Sequence, residues 1–166
     1  MYTVMKEFNI AIAHRLLKHK GKCFNLHGHN LKIQVFLSSE KLNDNDMVID
    51  FYDIKKEIGP IVDSLDHKTI LNYKDTLNSH VDSLSFLNDK DINIIMLFDI
   101  NNILKDEYNF SYPDPTSESI AKYLHDRIYS VIFSAKDGDT AWHNINKITI
   151  RIHESSTSMA EYSSKI

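Results

Sequence analysis

The chain has 166 residues, 42% of them hydrophobic and 25% charged, with a formal net charge of −4. That length suits one domain with a core of moderate size, and the composition excludes disordered and fibrous classes. The acidic balance argues against nucleic acid as the main partner, because phosphate contacts dominate such binding and need a basic surface.

Near the N-terminus Phe8, Ile10, Ile12 and His14 share a face at period two, with Ala11 and Ala13 behind them, which predicts a strand apolar on both sides. His27 to Leu37 predicts the clearest strand. His27, His29, Leu31, Ile33, Val35 and Leu37 fall on one face and Gly28, Asn30, Lys32 and Gln34 on the other. A helix opens at Asp50 as N-cap and carries Phe51, Ile54, Ile58, Ile61 and Leu65 at helical spacing, with Gly59-Pro60 expected to kink it. The segment from Tyr73 to Tyr112 is the least readable; Asp75 to Leu87 reads as a short helix, Ile92 to Phe98 as a strand and Asn101 to Tyr112 as a loop.

A second helix opens within Asp114-Pro115-Thr116-Ser117-Glu118, where a capping side chain and a proline suited to the first turn precede Ile120, Leu124, Ile128 and Val131. It should end before Gly138. Lys147 to Glu154 predicts a last strand, with Ile148, Ile150, Ile152 and Glu154 on one face and Lys147, Thr149, Arg151 and His153 on the other. This order of elements predicts an α+β fold built on an antiparallel sheet. No repeat, low-complexity tract or flexible linker interrupts it. The opening residues lack a basic region followed by an apolar run, and no stretch approaches the ~18 apolar residues of a spanning helix, so a cytoplasmic protein is expected.

Nine histidines are present, and three have a suggestive arrangement. His27 and His29, separated by Gly28 on a strand, point to the same side and form half of a zinc site. His14 ends the preceding strand, and antiparallel pairing would bring it beside them as a third nitrogen, leaving the fourth tetrahedral position open as a catalytic metal requires. On the core face three imidazoles need partners to offset desolvation, and a metal supplies one. An HxH pair also arises by chance. His19, His80, His125, His143 and His153 lack such context and read as surface or packed residues.

Cys23, the single cysteine, rules out an internal disulfide and lies just before His27 in the loop entering the metal strand. It reads as a small buried hydrophobe, as a ligand in a Cys-His-His site, or as a base whose thiolate Lys18, Lys20 and Lys22 favour. Asp66-His67 joins it as a proton-transfer set in which the carboxylate orients the imidazole. Glu154 is directed inward at the end of a buried face, where an unpaired charge is costly unless it meets a donor such as the amino-pyrimidine edge of a pterin.

Taken together, His14-Arg15-Leu16, Cys23-Phe24-Asn25-Leu26-His27-Gly28-His29-Asn30, Met47-Val48-Ile49-Asp50-Phe51, Leu65-Asp66-His67, Pro115-Thr116-Ser117-Glu118 and Glu154 occur in an order that resembles the 6-carboxytetrahydropterin synthases and the related 6-pyruvoyltetrahydropterin synthases. The resemblance spans nearly the whole chain. It implies a tunnelling fold (T-fold), with two main helices on one face of the sheet and a β-barrel completed by oligomerisation, usually as a hexamer built from two trimers. It makes His14, His27 and His29 ligands of Zn2+, Cys23 the general base, Asp66 with His67 the proton relay, and Glu154 the pterin anchor, with Thr116, Ser117 and Glu118 near the ring. Active sites in this family form between subunits, so these residues need not meet within one chain. Arg15, Lys18, Lys20 and Lys22 form a basic stretch that reads either as a contact for a triphosphate or as a solvated loop.

The implied reaction takes 7,8-dihydroneopterin triphosphate to 6-carboxy-5,6,7,8-tetrahydropterin with release of acetaldehyde and triphosphate, as in queuosine and 7-deazapurine synthesis. The short gap between Cys23 and His27 resembles the carboxy-forming branch. The alternatives are triphosphate elimination alone, giving the pyruvoyl product, and a zinc-stabilised T-fold binding protein without catalysis. The departure from the family is the connection from Asn72 to Pro115, longer than in compact members by roughly thirty residues against a usual connection of about a dozen at most. Residues 1–166 therefore read as one T-fold domain carrying an insert at about 73–113.

Overall fold

The alternation read along the sequence produces long strands. β1 (Tyr2–His14) and β2 (His27–Ser39) pair antiparallel over their full lengths, with Tyr2 opposite Ser39 and His14 opposite His27. β5 (Ile145–His153) pairs antiparallel with β2, and β6 (Met159–Lys165) with β5. The computed structural model describes residues 1–72, 75, 94–96, 114–135 and 142–166. On the far side of β1, β3 (Lys68–Leu71) runs parallel to it over Ile12–His14, and β4 (Ile94–Met96) runs parallel to β3. The six strands form one sheet in the order β4-β3-β1-β2-β5-β6.

The parallel strands modify the antiparallel sheet expected from the sequence. β3 is too short for its Lys-Thr-Ile-Leu to show a period, whereas β4 falls inside the strand read at 92–98. The helix read at 75–87 and the loop at 101–112 lie outside the described residues, Asp75 excepted.

Register decides which face is the core. Ile33 lies opposite Phe8 and Ile152, and Val35 opposite Ile150, so the isoleucines of β5 join those of β1 and β2 on one side. Both helices cover that side. α1 (Phe51–Asp63) contributes Ile54, Ile58 and Val62, and α2 (Ser117–Ala135) contributes Ile120, Leu124, Ile128 and Ile132, all buried. Burying each such side chain is worth about 1.5–3 kcal/mol. The opposite face is polar: Gln34 donates to Glu7 at 3.0 Å and Arg151 to Glu161 at 2.8 Å across neighbouring strands.

The helix ends show what the spacing alone missed. Asp50 caps α1 as expected, its carboxylate accepting the Tyr52 N–H at 2.8 Å. Phe51 stands in the first turn and is half exposed, while Val62 takes a place in the core. The chain stays helical through Pro60, whose carbonyl accepts the Ser64 N–H at 3.1 Å. At α2 the cap is Thr116, whose hydroxyl accepts the Ser119 N–H at 3.2 Å, so Pro115 precedes the cap instead of occupying the first turn. Asp114 is thereby free for other bonds. Among the described residues no helix is long and apolar enough to cross a membrane.

Ile150, fully buried in β5, tests this core. Ile150→Ala should lower stability by about 2–5 kcal/mol, read as a fall in the urea midpoint at unchanged slope.

Candidate active site

The pairing of β1 with β2 puts three imidazoles at one end of the sheet. His14 lies directly opposite His27, and His29 opposite Ile12, so all three rings stand on the core side. Their ring centroids are 4.6, 5.0 and 4.9 Å apart, and one nitrogen from each lies within 4.8 Å of the others. Gly28 permits this. A Cβ there would stand 3.0 Å from the Ile12 carbonyl oxygen, a backbone atom with little room to give.

The tautomers follow from the carbonyls. His14 Nδ1 lies 2.7 Å from the Pro115 oxygen and His27 Nδ1 lies 2.8 Å from the Asn25 oxygen; each nitrogen must donate, which leaves Nε2 as a bare acceptor in the neutral ring. Those two Nε2 atoms face each other at 3.1 Å. Two lone pairs at that separation repel unless a positive centre lies between them. The spacing matches the ~3.3 Å between nitrogens that each sit about 2.0–2.1 Å from a tetrahedral metal ion. Burial holds the His14 imidazole below its usual pKa range; the Pro115 carbonyl opposes this, the neighbouring His27 and His29 reinforce it, and Glu154 opposes it. The cluster can therefore hold a metal ion through one ring nitrogen from each histidine.

The rings open on a cavity of about 390 Å³ lined also by Leu16, Cys23, Thr116, Ser117, Glu118, Glu154, Ser158, Met159 and Ala160. That size falls among small-molecule sites of roughly 300–1,000 Å³. Cys23 sits in a single 3-10 turn, Lys22–Phe24, with its carbonyl accepting the Leu16 N–H at 2.8 Å. Glu154 just follows β5, half buried, and the Ser117 hydroxyl donates to its Oε1 at 2.6 Å. This answers the inward carboxylate read from the strand period: Ser117 engages one oxygen, and the carboxylate faces the cavity.

Asp66 and His67 are elsewhere in the chain. They follow α1 at the outer edge of β1, where the Ala11 N–H donates to Asp66 Oδ1 at 2.8 Å and the His67 N–H donates to the Ala11 carbonyl at 2.7 Å. Ala11 precedes His14 by roughly 10 Å of strand at ~3.3 Å per residue. His67 Nδ1 lies 2.9 Å from Asp66 Oδ2, its ring is 80% exposed, and its backbone has a φ of 55°, a left-handed conformation uncommon outside glycine. The hydrogen bonds from Ala11 and His67 hold the Asp66 carboxyl below the usual carboxylate range. The dyad is built as expected, but it does not line this chain's cavity.

Of the basic stretch, the Arg15 guanidinium is bonded to the buried Asp75. Lys18, Lys20 and Lys22 stay exposed. No residue pattern marks the Pro115 carbonyl, since any residue offers one, nor Ser158 and Ala160 on the cavity wall. Of the remaining histidines, His125 is buried against Ser164 and Asp126 and His153 meets Gln34, as packed residues do.

A family model described as 6-pyruvoyl tetrahydropterin synthase matches residues 3–165. A Haemophilus influenzae protein named 6-carboxy-5,6,7,8-tetrahydropterin synthase is 30% identical over 98% of this chain and 99% of its own length. An Aquifex aeolicus protein of the same name is 25% identical over 86% of this chain and 76% of its own. Among solved structures, 6-pyruvoyl tetrahydropterin synthase from Plasmodium falciparum superposes with a TM-score of 0.69 at 18% identity, covering 99% of this chain and 98% of that one, which shows a common fold.

The purified protein should bind one divalent ion per chain, and His14→Ala or His27→Ala should remove it, as measured by elemental analysis after dialysis. Metal retained at wild-type stoichiometry in both variants would break the cluster's assignment.

Proposed function

The chain belongs to the 6-pyruvoyl tetrahydropterin synthase family, and from that premise we propose that it is a zinc-dependent lyase converting 7,8-dihydroneopterin triphosphate to 6-carboxy-5,6,7,8-tetrahydropterin with release of acetaldehyde and triphosphate. One observation carries this reading: a single cavity collects the three-imidazole cluster, the chain's one thiol and a carboxylate steadied by a hydroxyl. The carboxy-forming branch is supported by the short Cys23–His27 spacing and by the name of the Haemophilus influenzae relative, which aligns nearly end to end. The proposed setting is the cytoplasm, in queuosine or another 7-deazapurine synthesis, with residues 1–166 acting as one T-fold domain that carries an insert at 73–113.

Glu154 accepts hydrogen bonds from the amino-pyrimidine edge of the pterin, with Ser117 fixing the carboxylate's orientation and Thr116 and Glu118 bordering the ring. His14, His27 and His29 hold zinc, with the Pro115 and Asn25 carbonyls keeping two of the rings in the ligating tautomer. Zinc, when bound, supplies Lewis-acid polarisation of the substrate's hydroxylated side chain. The Cys23 sulfur removes a proton from the side-chain carbon held beside it, and His67, oriented by Asp66, handles the second proton. The exposure of His67 in its own chain supports a relay that serves the cavity of an adjoining subunit, in a homo-oligomer that would be a hexamer of two trimers.

Incubating the zinc-loaded protein with 7,8-dihydroneopterin triphosphate should yield acetaldehyde with the carboxypterin. A pyruvoyl product would assign the other branch, and no turnover would leave a binding protein. Cys23→Ala should abolish turnover with metal content intact, whereas loss of metal would make Cys23 a ligand. Glu154→Gln should raise KM by about tenfold, the loss of one charge-assisted bond of about 1.5 kcal/mol. Co-expressing Cys23→Ala with His67→Ala should recover part of the activity that each lacks alone; mixed oligomers that stay inactive would place the relay within its own chain.

A further inference from the structure

We infer that Arg15 and Asp75 form a positioning pair that holds the Cys23 turn against the histidine cluster, and that Arg15 is thereby withdrawn from contact with the substrate's phosphates. The kinetic part of this inference rests on the lyase reading; the structural part does not.

The 3-10 turn Lys22–Phe24 has no buried residue of its own, so its side chains do not root Cys23 in the core. Its backbone is tied instead to Leu16, whose N–H donates to the Cys23 carbonyl at 2.8 Å. Leu16 follows Arg15, and Arg15 follows His14, so the position of Arg15 sets both the end of β1 and the strap that reaches Cys23. The guanidinium also lies 5.7 Å from the ring centroid of Phe24, the residue after Cys23.

Asp75 holds this guanidinium. Arg15 Nε donates to Asp75 Oδ2 at 2.6 Å, and a terminal nitrogen of Arg15 donates to Asp75 Oδ1, a two-pronged geometry that lysine cannot reproduce. The Asp75 side chain is fully buried and that of Arg15 is 16% exposed. The same base grips the loop's next residues. The Asp75 N–H donates to the Asn72 carbonyl at 2.8 Å, Asn72 Nδ2 donates to Asp114 Oδ1 at 2.7 Å, and Asp114 Oδ2 accepts the Lys18 N–H at 2.9 Å. Asp114 precedes Pro115, whose carbonyl orients His14. Thiol, imidazole and the entry to α2 are thus referred to one buried carboxylate pair, and a displacement of about 1 Å at a reacting group costs on the order of 100-fold in rate.

Cys23 is the only cysteine, so its alkylation by iodoacetamide in the folded, metal-loaded protein reports on it without any substrate. Asp75→Asn and Arg15→Lys should each change the alkylation rate severalfold and lower kcat by about tenfold, with KM within about twofold and metal content unchanged. Asp75→Glu, which keeps the carboxylate, should recover more of kcat than Asp75→Asn does. Arg15→Lys retains the charge and guards against a variant that simply fails to fold. A raised KM with unchanged kcat and alkylation in Arg15→Lys would restore Arg15 as a phosphate contact and overturn the inference. Unaltered alkylation in both variants, or loss of metal from them, would overturn it too. Should the wild-type protein show no lyase turnover, the alkylation comparison still decides the positioning role.

Discussion

The candidate site depends first on one register: β1 and β2 pair so that His14 lies opposite His27. Side chains alternate along a strand, so a slip of one residue would turn His27 and His29 to the polar face and leave His14 alone among apolar neighbours. The register is held by the burial it creates. Leu31, Ile33, Val35 and Leu37 lie on the same face as the two histidines, and exposing them would forfeit about 1.5–3 kcal/mol each. The hydrophobic pattern that makes the core therefore also makes the histidine cluster.

The second requirement is an approach to that cluster from the helix side. The segment entering α2 supplies it with consecutive residues of different use: Asp114 binds the Lys18 backbone, Pro115 offers its carbonyl to His14, Thr116 caps the helix, and Ser117 reaches Glu154 beyond β5. Helix capping and site assembly are one local structure here. A cap at Asp114 would have started the helix two residues early and carried the Pro115 carbonyl into the helical ladder, away from the imidazole.

Much of this was legible in the sequence because it is written in periods. The HxH pair on a strand, the inward carboxylate of Glu154 and the cap at Asp50 each follow from spacing plus the cost of burying a polar group. What escaped has no side-chain code or acts over a distance. The Pro115 oxygen is a backbone atom, β3 is too brief to show alternation, and the pairing of Arg15 with Asp75 joins residues sixty positions apart. Phe51 escaped for another reason: helical spacing marks a stripe without saying how far along the helix the sheet extends.

The position of the Asp66–His67 dyad bears on the proposed assembly. Among the described residues, β1 has a neighbour on its outer side only over Ile12–His14, and the dyad binds the outward N–H and C=O of Ala11, where that coverage ends. From there toward Tyr2 no described residue outside β2 pairs with the strand. At the other end of the sheet β6 is the terminal strand, and its first residues, Met159 and Ala160, wall the cavity. The strand directions alternate from β1 through β2 and β5 to β6, so β6 of one copy would meet β1 of another antiparallel, as these four strands meet one another. In that alignment Met159 stands at the same end as His14 and Ala11. Pairing β6 of one copy with β1 of another, as the proposed assembly requires and as unpaired strands favour, would carry the cavity lip of one subunit toward the exposed His67 imidazole of the next.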